Sequence, residues 1–221
     1  HSIALLDYAY RTSRAIPAFH DDGTYFYYNN DVTKYASLPF NIFNELNTTG
    51  QDVAKKSTNI KINLTWRPWD WLKLQSQTGM STSASNQENW ADEQSFYVSK
   101  MRLVPYGGKI ITGNEYYYED AILPLGGELK YENSSSKRYT FRNVVDLNKT
   151  WKKHHLFASV GTELISIQLN SHRGRYLGYM PFRGKTFADI DVSIYKGYAR
   201  AVQASPLQII DNTLNTMSLF S

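Results

Sequence analysis

Clustered acids, a histidine pair and runs of aromatics are the side chains here whose types and spacing invite a chemical role. Glu88, Asp92 and Glu93 stand close together, and paired carboxylates are what glycoside hydrolysis requires. No nucleophile beside a base, no phosphate-cradling loop and no dinucleotide fingerprint accompanies them. Acids in a polar segment of this kind read as solvated, and the chain reads as non-enzymatic. His154 and His155 suggest a metal, but adjacent strand residues point to opposite faces, which separates them as ligands. Asp21, Asp22 and Asp31 supply too few ligands at calcium-loop spacing. With zero cysteines, disulfides and thiolate metal sites are excluded. The expectation is therefore no metal and no cofactor. Arg173-Gly174-Arg175 is a small basic patch suited to a loop contact. The net charge of +4 is scattered along the chain, so no nucleic-acid partner is expected.

Aromatic residues fit binding better than the acids fit catalysis. Tyr25, Phe26, Tyr27 and Tyr28, then Trp90, then Tyr116, Tyr117 and Tyr118 all fall in long segments between strands. Aromatic faces stack on sugar rings and bury against protein partners at low entropic cost. They also build the small cores that long loops need to stay folded, and both roles fit. Tyr25, Tyr27, Trp90, Tyr116, Tyr117 and Tyr118 are the ligand or partner candidates, the last three foremost because Glu119 and Asp120 follow at once.

The elements that must position these residues have a period of two. Ile60, Ile62, Leu64 and Trp66 alternate with Lys61, Asn63 and Thr65. After Arg67-Pro68-Trp69-Asp70 the pattern resumes as Leu72 and Leu74 against Lys73, Gln75 and Gln77. It recurs as Tyr139, Phe141, Val145 and Leu147, turns near Lys149-Thr150-Trp151-Lys152, and returns as Leu156, Ala158, Val160 and Leu164. Past Leu164 the phase slips, since Ile165 and Ile167 are apolar. Such alternation gives each strand one oily and one wet face. Four of the five tryptophans (Trp66, Trp69, Trp71 and Trp151) mark the two turns. Tryptophan gathers where one end of its ring needs hydrocarbon and the other water, so these four are assigned to a membrane interface.

The wall strands are expected near 57–67, 71–81, 138–149 and 155–168. The chain then divides into a loop region with a β-hairpin at 1–56, a barrel hairpin at 57–81 and a long loop at 82–137. A second barrel hairpin at 138–168, a loop at 169–211 and the start of a further strand at 212–221 complete it. Short turns at one end and long loops at the other are the asymmetry of outer-membrane barrels. A tilted strand of about 12 residues, rising ~3.3 Å per residue, covers a hydrocarbon layer of ~25–30 Å. The fold class expected is all-β: antiparallel strands of a partial transmembrane β-barrel with long extracellular loops. Lys61, Asn63, Lys73, Gln75, Arg142 and Glu163 are assigned to its lumen, as are Arg67, Gln77 and Asp146. Within the long segments, Asp21-Asp22-Gly23 signals a hairpin, 96–103 reads as a strand, and 189–201 as a weak strand extension. Phe40 to Leu46 has a short helical spacing.

Composition agrees without deciding. A mean hydropathy of −0.48 resembles a soluble protein, yet only alternate wall residues of a barrel meet lipid. No stretch approaches the ~18 apolar residues of a spanning helix. The start at His1, with no signal-peptide pattern, is expected of a mature product or a fragment.

Several ordered motifs resemble the SusC/RagA family of TonB-dependent outer-membrane transporters of Bacteroidetes. They are Arg11-Thr-Ser-Arg-Ala-Ile-Pro-Ala-Phe19 with Asp22-Gly23, Asn41-Ile-Phe-Asn-Glu-Leu46, Leu123-Pro-Leu-Gly-Gly-Glu128 and Tyr139-Thr-Phe-Arg-Asn143. Asp146-Leu-Asn-Lys-Thr-Trp151, His154-His-Leu156 with Gly161-Thr-Glu163, and Tyr179-Met-Pro-Phe182 follow. Each is weak alone, while their order and spacing cover nearly the whole chain. The resemblance implies an internal stretch of a barrel in a nutrient importer of the outer membrane. Its implied partners are a SusD-like lipoprotein lid, the TonB complex through parts absent from this chain, an oligosaccharide or peptide cargo, and the lipid membrane. Plugged transporters have about 22 strands and this chain offers about four to six, so a fragment or a split-receptor piece is expected. The alternative from another class is a soluble extracellular β-sandwich binding glycans, whose apolar faces would meet in a core.

Overall fold

The computed structural model describes residues 8–10, 12–13, 15–109 and 116–221. Arg11 and Arg14 of the first motif, and residues 110–115 of the second long segment, lie outside the described residues. The chain is mostly antiparallel β-sheet. In order it forms β1 (Tyr28–Val32), β2 (Ser37–Phe40), α1 (Ile42–Thr48), β3 (Thr49–Trp69), β4 (Leu72–Ala91), α2 (Phe96–Arg102) and α3 (Tyr117–Asp120). There follow β5 (Gly127–Trp151), β6 (His154–Met180), β7 (Thr186–Phe187), α4 (Lys196–Gln203) and β8 (Gln208–Phe220). Two compact units emerge, one of residues 1–53, 87–132 and 173–207, the other of 54–86, 133–172 and 208–221.

The second unit is the sheet. Its strands lie in the order β3-β4-β5-β6-β8, with the short β7 also paired to the end of β6, and among the described residues they close no barrel. Tight turns at Asp70-Trp71 and Lys152-Lys153 join the hairpins, with Lys152 left-handed at φ 54°. The Asn148 amide donates to the Trp71 carbonyl at 2.8 Å and ties the two turns together. Among the described residues every buried apolar side chain belongs to the other unit. The sheet instead leaves Ile62, Leu64, Val160 and Leu164 at 65%, 67%, 51% and 45% exposure.

Strands β3 to β6 run 21, 20, 25 and 27 residues, well past the alternating stretches that announced them. Alternation is a burial signal, and it fades where a strand stops separating an oily from a wet environment. The stretch 96–103, expected as a strand, instead holds the helix α2 at 96–102. Ser95 caps it by accepting from the Val98 amide at 3.1 Å, and Leu103, left-handed at φ 69°, ends it. The weak alternation after Asp189 likewise ends in α4, not in a strand.

The first unit holds the cores. Phe19 and Tyr25 bridge across a turn in which Gly23 has φ 83° and Asp22 accepts from the Thr24 amide and hydroxyl. Buried Asn41 caps α1 through Phe43 and Asn44, while its own amide donates to Ala18 and Phe26 carbonyls at 2.8 Å. One side chain thereby joins hairpin and helix. Tyr35, Ala36, Val104, Tyr117 and Ala121 form one core, and Ala91, Val98, Leu123 and Leu177 another. Beside the second core the backbones approach so closely that a Cβ on Gly127 would lie 1.9 Å from the Ala91 carbonyl oxygen. Only glycine fits there.

Buried Glu45 gives this unit a pH dependence. Its carboxylate accepts from the Phe96 and Tyr97 amides at 2.6 and 3.1 Å, covering the start of α2. Burial pushes the carboxyl above its ordinary 4.5, against the downward pull of those two donors. The folded state thus binds this proton more tightly than the unfolded chain. The contribution favours folding below the ordinary value and declines as pH climbs through the raised one. Glu45→Gln should therefore gain on the parent as pH rises from 4 to 7 in thermal melts followed by tyrosine near-UV dichroism. Parallel profiles would refute this.

Candidate functional site

Two regions carry the residues singled out above, and each belongs to one unit. On the wet face of the sheet, Asn63 and Thr65 of β3, Gln75 and Gln77 of β4, and Arg142 of β5 line a recess of about 430 Å³. Strand alternation puts every second side chain on that face, so three neighbouring strands converge there without any loop. Amide and guanidinium groups of this kind hydrogen-bond hydroxyls and peptide groups alike. Lys73 stands 3.7 Å from Asp146, which also accepts from the Ser159 hydroxyl at 2.7 Å. That lysine is held by the sheet itself. Lys61, exposed on β3, and Glu163, half-buried on β6, stand apart from the recess.

Phe220 is the member of this face that sequence reasoning missed. Its ring lies over Gly161, where an added Cβ would sit 2.3 Å from the ring, and 4.8 Å from the Arg142 guanidinium. A glycine inside a strand admits a close approach or marks a bend. Here the occupant is an aromatic side chain that rests against the cation.

At the turns, Trp66, Trp69 and Trp151 are 61%, 57% and 47% exposed, and Trp71 is half-buried. Trp69 and Trp71 stack nearly parallel at 5.2 Å, with the Lys149 ammonium 4.9 Å from the Trp71 ring. The oily face behind them carries a shallow apolar depression lined by Met80, Tyr139, Phe141, Leu164 and Met217.

The aromatic candidates of the other unit divide sharply. Tyr116 and Tyr118 are exposed, with the Lys34 ammonium 5.8 Å from the Tyr116 ring. Tyr117 is 6% exposed and edge-on to Tyr35 at 5.5 Å, so it faces the core and not a ligand. Burial pushes its hydroxyl up to about 12. Tyr25 packs on Phe19, accepts from the Asn47 amide at 2.7 Å and lies 6.3 Å from Tyr27, which stays 45% exposed. Trp90 is half-buried over Gly50 and edge-on to Phe182 at 5.8 Å.

Two of the acids have basic partners. Glu93 pairs with Arg183 at 3.2 Å and Glu88 approaches Lys185 at 4.0 Å. Burial pushes the Asp92 carboxyl up, a shift with no cue in the sequence. Burial also works against the charge of Glu128, but the Tyr97 hydroxyl and Arg175 guanidinium outweigh it and hold this carboxyl below its ordinary range. Arg175, one half of the basic patch, is thus an internal ion-pair partner, while Arg173 pairs with Glu132 at 2.9 Å. His155 contacts Asn148 at 2.8 Å. Among the described residues no three His, Cys, Asp or Glu side chains gather to hold a metal, and no helix is long and apolar enough to cross a membrane. No protein-family model and no curated protein matches the chain.

Proposed function

We propose that this chain is a wall segment of a TonB-dependent outer-membrane nutrient importer of the SusC/RagA kind. One observation carries the reading: a long antiparallel sheet with one oily face in the open and, among the described residues, no core beneath it. Water would penalise that arrangement, since exposed apolar patches beyond a few hundred Å² mark an interface or a membrane. From Leu156 to Leu164 the oily side of β6 spans nine residues. At ~3.3 Å per residue and a tilt near 40°, this is about 23 Å, close to the ~25 Å apolar band of outer-membrane barrels. Tryptophans at both tight turns supply the aromatic girdle. The amide-lined recess of Asn63, Gln75 and Arg142 then faces the lumen and shapes what passes. Energy enters through a plug and TonB, while exposed Tyr27, Tyr116 and Tyr118 are offered to an oligosaccharide or peptide cargo or to a SusD-like lid.

A soluble β-sandwich would bring Ile62, Leu64, Val160 and Leu164 together beneath a second sheet, and their exposure counts against it. The test is refolding from urea into phosphatidylcholine vesicles. Brominated acyl chains should quench tryptophan fluorescence on insertion, and the β-signal should survive carbonate washing. A detergent-free monomer with a cooperative melt would sink the proposal.

A further inference from the structure

The tight-turn end of the sheet carries cations as well as tryptophans. Lys149, Lys152 and Lys153 stand there against a single carboxylate, Asp70, and all four are exposed. The two turns are fastened to each other by the Asn148 to Trp71 hydrogen bond, so their charges form one patch. Lys149 is already placed over a tryptophan that is itself stacked on a second, so its ammonium is held at the level of the rings. Lys152 is locked into the turn by its left-handed backbone at φ 54°. Indole rings settle at headgroup depth, and ammonium groups at that depth meet phosphates.

We infer that this rim selects anionic glycerophospholipids, its three lysines gripping the phosphodiester headgroups while Trp69, Trp71 and Trp151 seat among the glycerol backbones. The inference rests on the membrane-wall reading above and deepens it. A zwitterionic headgroup offers the same phosphate but brings its own ammonium, which the three lysines repel. Charge complementarity therefore distinguishes the two lipids, and hydrophobicity does not.

The experiment uses the chain refolded into phosphatidylcholine vesicles holding a small, equal fraction of spin-labelled phosphatidylglycerol or spin-labelled phosphatidylcholine. Tryptophan quenching by the anionic label should exceed that by the zwitterionic one roughly fivefold in relative association at low salt. The excess should vanish at 1 M NaCl, where the screening length falls to ~3 Å. It should also vanish in the triple variant Lys149→Gln, Lys152→Gln, Lys153→Gln, yet persist in Lys55→Gln, Lys56→Gln, which removes charge far from the turns. Insertion is read separately by far-UV dichroism. Insertion with equal quenching by both labels overturns the inference and leaves the wall reading standing. Failure to insert into either vesicle overturns both.

Discussion

Arg102→Ala is expected to unravel the packing of α2 against residues 116–126, with a loss of about 4 kcal/mol. The residue is 5% exposed, and its guanidinium donates to three backbone carbonyls: Glu93 at 3.1 Å, Pro124 at 3.0 Å and Gly126 at 2.9 Å. Each carbonyl stripped of its donor in the interior costs ~1–3 kcal/mol, and alanine strips all three. The planar fork of arginine reaches three directions at once, which a lysine ammonium on the same stem cannot match. Arg102→Lys should therefore recover only a fraction. Limited proteolysis of the refolded chain should cut the variant rapidly within 92–109 and 116–126, where the parent resists. Equal protection in parent and alanine variant would show that the carbonyls find other donors.

The second large effect tests the facing of the proposed wall. Leu64→Arg should impair insertion by ~2–4 kcal/mol if this position lies near the bilayer midplane, while its neighbour Asn63→Arg should insert almost normally. Leu64 belongs to the oily series with Ile60, Ile62 and Trp66, and Asn63 lines the polar recess. Folded fractions across a urea series, read by tryptophan emission, measure both variants. Equal losses at the two positions would refute the assigned facing.

How much of this was legible in the sequence depended on what each residue was near. Sheet positions announced themselves because alternation records a difference between two environments, as in Ile62, Asn63 and Leu64. The same rule explains why β5 and β6 extend far beyond 138 and 168. The helix at 96–102 was hidden because Phe96, Val98 and Met101 suit a strand as well as a helix. Its deciding signals are the Ser95 cap and a remote acceptor, Glu45. Arg102 gave no cue either, since its partners are backbone carbonyls that carry no residue identity. Among the tyrosines, three consecutive rings looked equivalent, and only packing against Tyr35 separates buried Tyr117 from its exposed neighbours. Local pattern speaks for surfaces, and long-range contact decides the rest.

The two margins of the sheet have a practical outcome for anyone handling the protein. Along β3 and β8 the outermost amides and carbonyls find no strand among the described residues. Inside hydrocarbon there is no water to satisfy them, and in buffer they offer a template for any passing extended chain. A lone copy is therefore unsatisfied in hydrocarbon and adhesive in buffer. Dilution, a capping peptide or a donated neighbouring ribbon decides whether it stays single or zips laterally into higher-order bands.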